Sequence, residues 1–187
     1  MKIVSIDPSL RHTGLAYGEL DPERGYGQLV VHDIALIETE ATKAKQVRKN
    51  SDDLRCAQEL ATAVLDYCLD FAPDLVIAEV PSGTQSSRAS WTLGITLGIL
   101  ATVSIYYRPL IEVSPTDVKK HFIGSKTASK QQMIDRAVAL YPDLAWHRHS
   151  GKLTAKNEHM ADAIAIMDHG VRTPAAMDLI SMRRRAA

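Results

Sequence analysis

The sequence KIVSIDPSLRHTGLAYGEL, residues 2–20, contains the first two strand candidates of the chain. Its first apolar run ends at Asp7, and a second run begins at Gly14. A third run, LVVHDIALIE at residues 29–38, follows the turn-rich sequence DPERGYG. Short apolar runs that are joined by turn-forming residues are typical of strands paired with their neighbours. The beginning of the chain therefore predicts three antiparallel strands.

Later segments alternate between strands and helices. LVIAEV, residues 75–80, is a continuous apolar run of the kind found in strands buried on both faces, and PLIEV, residues 109–113, is a further strand candidate. Helices are predicted from Ser51 to Pro73, over residues 91–106, from Ser114, from Ser129 to about Tyr141, and over residues 157–170. This order predicts an α/β fold in which a mixed sheet is flanked by helices on both sides.

The composition allows one folded unit. With 187 residues, of which 45% are hydrophobic, the chain can bury a single core. We expect one domain over residues 1–175 and a basic, flexible tail over residues 176–187. Cys56 and Cys68 lie about three turns apart on a predicted helix, too far to form a disulfide, so we expect reduced core residues.

Two features bear on localisation. The N-terminal sequence MKIVSIDPS enters a strand pattern directly and lacks the apolar stretch and cleavage site of a signal peptide. The uncharged run from Trp91 to Tyr107 lies at the lower end of the spanning length of about 17–25 residues, and it contains Thr, Ser and Gly. We interpret this run as a buried helix and expect a cytoplasmic protein with no membrane contact.

Three acids occupy apolar surroundings that folding alone would not favour. Asp7 ends the first strand, Glu79 lies inside LVIAEV, and Asp162 lies among the alanines and apolar residues of the last helix. Individually, Asp7 could be a turn residue and Asp162 a solvated helix position. Glu79 could instead pair with Arg88. An unpaired buried carboxylate is costly, however, and a divalent cation could compensate all three acids.

Phosphodiester hydrolysis with two metal ions requires such an arrangement of acids. The reaction must generate hydroxide from water near neutral pH and must stabilise an oxygen leaving group. Two Mg²⁺ ions about 3.5–4 Å apart can do both, one on each side of the phosphorus. Several carboxylates from separate parts of the chain must therefore converge, and two acids on strands with one acid on a helix fit that requirement.

A series of motifs resembles RuvC-type Holliday junction resolvases of the ribonuclease H-like superfamily. They are SIDPSLRHTGLAYG (5–18), DLVIAEV (74–80), TLGITLGILA (92–101), VSPTDVKKHFIGSKTASKQQM (113–133) and NEHMADAIAI (157–166). The resemblance runs in order from residue 3 to about residue 170. It implies a ribonuclease H-like nuclease fold and a metal-dependent crossover junction endodeoxyribonuclease that acts on four-way DNA in recombination and repair, as a homodimer.

The resemblance also implies a site. Three of the family's metal-binding positions correspond to Asp7, Glu79 and Asp162, and the fourth position corresponds to His159. Many members have Asp at the fourth position and some have His. Glu158 shares the helical face of Asp162 and competes for that position. The implied cofactor is Mg²⁺, with two ions per site and Mn²⁺ able to substitute. The helix that carries Gly94 and Gly98 is implied to lie at or near the dimer interface.

Two further features concern the substrate. The family often has an aromatic residue just after the second acid, where it inserts at the junction centre, but here the sequence is Val80-Pro81-Ser82-Gly83. The segment 119–156 carries eight lysines and arginines against two aspartates, and beside a metal site it would neutralise phosphates. The candidate DNA-binding residues are Lys119, Lys120, Lys126 and Lys130.

Three other functions remain open. Asp7 followed by Thr13-Gly14 resembles the first phosphate-binding turn of sugar kinases and actin-like ATPases, but this chain is too short for their second lobe. A protein that recognises DNA structure with inactive acids would bind DNA without cleaving it. A nuclease of the same fold could act on other branched DNA or on RNA–DNA hybrid, and this is the main alternative.

Overall fold

The secondary structure comes from a computed structural model that describes residues 1–23, 28–84, 86–107 and 109–186. The strands are β1 (Lys2–Asp7), β2 (His12–Glu19), β3 (Val30–Glu38), β4 (Leu75–Glu79), β5 (Leu110–Val113), β6 (Arg148–His149) and β7 (Lys152–Leu153). The helices are α1 (Lys49–Phe71), α2 (Ser87–Tyr106), α3 (Pro115–Ile123), α4 (Lys130–Leu140), α5 (Asn157–Gly170) and α6 (Pro174–Ala186). Four residues of the predicted turn DPERGYG, 24–27, lie outside the described residues.

Five strands form the main sheet in the order β3-β2-β1-β4-β5. β1 pairs antiparallel with β2, and β2 pairs antiparallel with β3, whereas β4 is parallel to both β1 and β5. The difference follows from the connections, because parallel strands need a long crossover and a helix separates β3 from β4 and β4 from β5. The predicted mixed sheet, with antiparallel strands first and parallel strands after them, is confirmed.

Helices cover both faces of this sheet, as predicted. Side chains alternate across β1, so that Ile3 packs into one hydrophobic cluster and Val4 packs into another. The first cluster contains residues of α3, α4, α5 and α6, and the second contains residues of α1 and α2. The predicted reduced core cysteines are also confirmed, since Cys56 and Cys68 are buried free thiols.

Helix α5 packs directly on β1 and β2, and its residues 163–167 are fully buried. Gly14 on β2 permits this approach, because a Cβ atom at that position would lie 1.9 Å from the carbonyl oxygen of His159. Gly14 is the partner of Asp7 in the β1–β2 ladder. The same close approach therefore brings His159 next to the end of β1.

Two predicted helix starts are confirmed and a third is wrong. The side chains of Ser114 and Ser129 accept backbone hydrogen bonds at the starts of α3 and α4. α1 begins at Lys49 rather than at Ser51. The acidic residue that follows Ser51, Asp52, is buried and bonded to arginines instead of marking an exposed first turn. Tertiary contacts have therefore overridden the local capping sequence.

Two segments that were predicted to be irregular are ordered. Residues 142–156, predicted as a loop, contain the β6–β7 hairpin. Its strands have two residues each, too few for a periodic pattern to show. Residues 176–187 were predicted to be a flexible tail, but α6 runs through them to Ala186 and buries Ala176 and Ile180 in the core. That residues 1–175 form a single domain stays a prediction.

The interpretation of α2 as a buried helix is wrong. Thr96, Leu100 and Val103 are its buried residues, whereas Trp91 is 51% exposed and Ile105 is 64% exposed. Within the described ranges, α2 is also the one helix long and apolar enough to cross a membrane by length and composition, with 17% of that window buried. A single such helix is weak evidence for a membrane. Its exposed apolar face needs another explanation.

Candidate active site

Three predicted site acids come together at one edge of the sheet. Asp7 is the last residue of β1 and Glu79 is the last residue of β4. Because these strands are parallel neighbours, with Ile6 opposite Ala78, their carboxyl ends lie side by side. Asp162 lies on α5, which packs across β1. We call Asp7, Glu79 and Asp162 the acid cluster.

The acid cluster is partly buried, and its members repel one another. Burial, followed by the charges of Asp7 and Asp162, raises the pKa of Glu79 to about 8. Burial, followed by the charges of Asp7 and Glu158, raises the pKa of Asp162 to about 7. Burial also raises the pKa of Asp7 above its usual value, against the opposing hydrogen bond with His159. The contributions of neighbouring charges to these shifts indicate that the carboxylates lie close enough to repel one another.

His159 is held beside the acid cluster by two neighbours. Its Nδ1 atom lies 2.9 Å from Asp7 Oδ2, and this hydrogen bond raises the pKa of the imidazole. The ring of His12 stacks on the His159 ring at 5.5 Å with an interplanar angle of 6°. His12 Nε2 in turn lies 3.6 Å from a Glu38 carboxylate that also binds Lys156. The sequence did not identify His12 or Glu38, because neither has a local signal.

The four predicted DNA-binding lysines differ in their surroundings. The charge of Lys119 lowers the pKa of every member of the acid cluster, so this lysine lies near the acids. Lys130 Nζ lies 2.8 Å from Glu158 Oε1, on the first turn of α5. Lys120 and Lys126 are exposed. Lys119 and Lys130 are therefore the two lysines with observed links to the site.

A second buried ionic group, which we call the arginine cluster, was not predicted. Its members are Arg11, Asp52, Asp53, Arg55 and Arg88. Two Nη atoms of Arg88 bind both oxygens of the fully buried Asp53. The alternative pairing of Arg88 with Glu79 is therefore wrong. The partner is 35 residues away on another helix, and local sequence could not reveal it.

The chain is similar to known proteins in sequence and in shape. No protein-family model matches the chain. The crossover junction endodeoxyribonuclease RuvC of Salinibacter ruber is 29% identical over 137 residues, which cover 71% of this chain and 68% of that protein. The structure of Thermus thermophilus RuvC with a Holliday junction superposes with a TM-score of 0.68 at 20% identity, over 95% and 96% of the two chains. The predicted resemblance to RuvC-type resolvases is confirmed.

The shared fold extends beyond bacterial RuvC. The yeast mitochondrial Holliday junction resolvase superposes with a TM-score of 0.61 at 13% identity, over 99% of this chain and 84% of that one. At such identities the similarity concerns the fold alone. The ribonuclease H-like sheet that the sequence predicted is therefore confirmed, and the site residues have to be judged from their own geometry.

The chemistry of the acid cluster fits a divalent cation, as expected of a RuvC-type site. Asp162 Oδ1 is buried and has no hydrogen-bond partner within the described part of the chain. A cation would offset the repulsion among the three carboxylates, and oxygen ligands suit Mg²⁺. Among the described residues, no group of three or more His, Cys, Asp or Glu side chains is arranged so that it could hold a metal ion. Side chains would therefore have to turn toward a cation on binding.

Proposed function

We propose that this chain is an endonuclease that resolves four-way DNA junctions by metal-dependent hydrolysis, with one nick in each of two strands. The observation that carries the proposal is the acid cluster, in which carboxylates from β1, β4 and α5 meet at one sheet edge and raise one another's pKa. A fold does not need such a cluster for stability, since unpaired buried carboxylates destabilise it. The resemblance to RuvC-type resolvases in sequence and fold supports the same function.

The proposed roles follow from the positions of the side chains. Asp7, Glu79 and Asp162 hold two Mg²⁺ ions, for which Mn²⁺ can substitute. When bound, these ions supply an activated water and stabilise the leaving oxygen. Lys119, which is close to all three acids, would bind the phosphate next to the cut. Lys130 would bind the same phosphate once its ion pair with Glu158 has opened. Lys120 and Lys126 contact phosphates farther from the acids.

For the fourth position we propose His159 rather than Glu158. His159 is bonded to Asp7, whereas the carboxylate of Glu158 is occupied by Lys130. The substitution His159→Ala should abolish most cleavage, His159→Asp should retain cleavage in Mg²⁺, and Glu158→Gln should retain most cleavage. A parent-like His159→Ala variant together with an inactive Glu158→Gln variant would assign the position to Glu158.

We further propose that α2 forms the interface of a two-fold homodimer, because a resolvase must cut two strands symmetrically. Cβ atoms added at Gly94 and Gly98 would meet nothing within 4 Å in the described part of the chain, so these glycines serve no packing contact there. They lie on the same helical face as the exposed Trp91 and Ile105. An apolar face of this kind, with small residues that permit close approach, suits a second copy of α2.

The dimer is tested by light scattering and junction cleavage. Gly98→Arg fits the open space of the single chain, so it should leave folding intact, convert dimers to monomers and uncouple the two nicks. Leu69→Arg, at a 69% exposed apolar position of α1, is the matched control and should stay dimeric. A parent protein that is monomeric at micromolar concentration and fully active would contradict the dimer.

The function is tested with the purified protein on a four-way junction, a fork, duplex DNA and RNA–DNA hybrid. We expect paired nicks in the junction with Mg²⁺ or Mn²⁺ and no cleavage in chelator. Equal cleavage in chelator would overturn the metal-dependent mechanism. The main alternative is a nuclease for other branched DNA or for hybrid, which the missing aromatic residue after Glu79 favours, and preferential cutting of the fork or hybrid would support it.

The two free, buried cysteines support a reducing, cytoplasmic location for the protein.

A further inference from the structure

A short basic hairpin projects from the chain just before the helix that carries Asp162. We define the basic hairpin as residues 147–154, HRHSGKLT. Arg148 pairs with Leu153 and His149 pairs with Lys152, and the two-residue turn between them is Ser150-Gly151. Both turn residues have positive φ angles, 49° and 78°, which is the conformation required by a tight hairpin turn of type I′.

The base of the basic hairpin is attached to the first residue of α5. Asn157 is fully buried, and its Oδ1 atom accepts a hydrogen bond from the His147 amide at 2.8 Å. Its Nδ2 atom donates to the carbonyl oxygens of His147 and Thr154 at 2.9 and 3.0 Å. The Thr154 amide also donates to the His147 carbonyl. These bonds hold both ends of the hairpin against the helix.

The core fixes the hairpin from its other side. Trp146, the residue before it, is 7% exposed and packs in the main hydrophobic cluster. Its indole Nε1 donates to the carbonyl oxygen of Tyr141 at 2.8 Å. His159 follows Asn157 by two residues, which is about 3 Å along a helix axis. The hairpin is therefore built as an extension of the active-site helix and not as a free loop.

Two cations of this hairpin, Arg148 and Lys152, are exposed and form no ion pair with any described residue. The exposed imidazole of His149 lies between them in the sequence. Arg148 binds the Gly151 carbonyl oxygen at 3.2 Å, which keeps its guanidinium over the turn. Neighbouring basic residues differ, because Lys130 and Lys156 are bound to Glu158 and Glu38. Unpaired cations on a rigid, projecting element are suited to a polyanion.

We propose that the basic hairpin binds the phosphate backbone of the DNA arm beside the cut and sets the position of that arm relative to α5. The inference rests on the proposed function, because it takes the acid cluster as the cleavage site. Arg148 and Lys152 make the phosphate contacts. The hairpin adds a fixed second contact to the flexible lysines of α3 and α4, so that the arm cannot rotate freely about the scissile phosphate.

The test measures junction affinity as a function of salt, because each phosphate contact contributes about 0.9 to the slope of log K against log salt. Proteins carry Asp7→Asn so that no DNA is cut during binding. In this background, Arg148→Gln with Lys152→Gln should lower the slope by about 2 and weaken binding about tenfold at moderate salt. The control is Lys2→Gln with Arg185→Gln, which removes the same charge from exposed positions.

The control residues lie at the opposite end of β1 from the site. Lys2 begins β1, and the α6 terminus that carries Arg185 is bonded to Asp74 beside Lys2 through Arg183. The control should keep the parental slope to within about 0.5. An unchanged slope in the hairpin variant, or an equal loss in the control, would overturn the proposal. Equal thermal unfolding of the two variants verifies that folding is unaffected.

A second measurement locates the contact and separates this proposal from the proposed function. Neutral methylphosphonates are placed one at a time along the arm next to the nick. At one or two DNA positions the neutral group should weaken binding by the protein with the intact hairpin and have no effect on binding by the hairpin variant. The lack of any such position would refute the contact. A chain that binds DNA through the hairpin but never cuts would keep the phosphate contact and refute the nuclease. If the enzyme cuts junctions and its hairpin variant binds DNA as the parent does, this inference is refuted and the nuclease stands.

Discussion

The arginine cluster contains buried carboxylates and the acid cluster contains partly buried ones, and the protein compensates their charges differently. Asp53, at the start of α1, has Arg88 and Arg11 as partners, and its pKa is lowered chiefly by the hydrogen bonds from Arg88. Among the described residues no arginine binds Glu79, and its pKa is raised to about 8. Arg11 follows Asp7 by four residues in the chain, but its guanidinium binds Asp53.

The two clusters separate carboxylates that serve the fold from carboxylates that do not. Arginines neutralise the buried Asp52 and Asp53, whereas no described arginine neutralises the acids where β1, β4 and α5 meet. Carboxylates without a counter-charge destabilise the protein unless a cation binds. Removing a charge from the acid cluster should therefore lower cleavage and not stability. Removing a charge from the arginine cluster should lower stability.

The largest expected effect is on cleavage. Asp7→Asn removes one ligand charge with little change in size, and we expect junction cleavage to fall by at least about a hundredfold. Folding stability should be unchanged or higher, because one source of repulsion is gone. Initial rates of nicking and thermal unfolding in chelator measure the two quantities. Substantial cleavage by this variant would remove Asp7 from the site.

The matching change in the arginine cluster should affect stability instead. Asp53→Asn leaves Arg88 and Arg11 without their buried partner, and we expect the free energy of unfolding to fall by about 2 kcal/mol, below the value for a wholly buried pair because both arginines are partly exposed. The folded-state pKa of Asp53 is lowered, so its contribution is complete above the unfolded pKa and is lost as pH falls through the folded pKa. The difference from the parent should therefore be full at pH 7 and shrink in acid.

Denaturant unfolding at pH 7 and at pH 3 measures this difference. Asp66→Asn, at an exposed position of the same helix, is the control and should change the free energy of unfolding by less than about 0.5 kcal/mol. If the control and Asp53→Asn were equally stable, the arginine cluster would have no structural role, and the contrast between the clusters would fail.

The third effect concerns the contacts that orient His159 beside the acid cluster. His12 stacks on His159, which binds Asp7, so His12→Ala should lower the cleavage rate about tenfold. His12→Phe keeps an aromatic ring and should recover most of the rate, with little change in junction affinity for either variant. Equal rates for His12→Ala and the parent would show that stacking does not position His159.

The smallest effect is the pH dependence of stability in chelator. Burial and repulsion raise the folded-state pKa of Glu79 to about 8 and that of Asp162 to about 7, so the folded state binds more protons than the unfolded state between pH 4 and these values. Stability should fall as pH rises through this window, and the unfolding temperature should fall with it. Mg²⁺ should reverse the trend, and Glu79→Gln should flatten it. A profile without slope in chelator would contradict the mutual repulsion.

Much of the site could be predicted because its signals are local. Asp7 and Glu79 are polar residues at the ends of apolar runs, and Asp162 is an acid inside an apolar helix, so each is visible without a partner. The helix starts at Ser114 and Ser129 were equally visible, since a capping side chain binds an amide two or three residues away.

The missed features depend on partners that are distant in sequence. Arg88 could have served Glu79 or Asp53, and only the packing of α2 against α1 decides in favour of Asp53. His12 and His159 are 147 positions apart and meet because α5 crosses β2 at Gly14. Apolar composition likewise predicted a buried α2, but composition does not state which element covers a helix.

Spacing along the chain and residue type were sufficient to predict the five strands of the main sheet, helices α1–α5, the three acids and the resemblance to RuvC-type resolvases. Only the folded chain reveals which acids have arginine partners, that His159 contacts Asp7, that the apolar face of α2 is exposed, and that residues 147–154 form a hairpin on α5. The physical reason is that compensation of charge and burial of apolar surface are pairwise properties, and the partners are known only when the chain has folded.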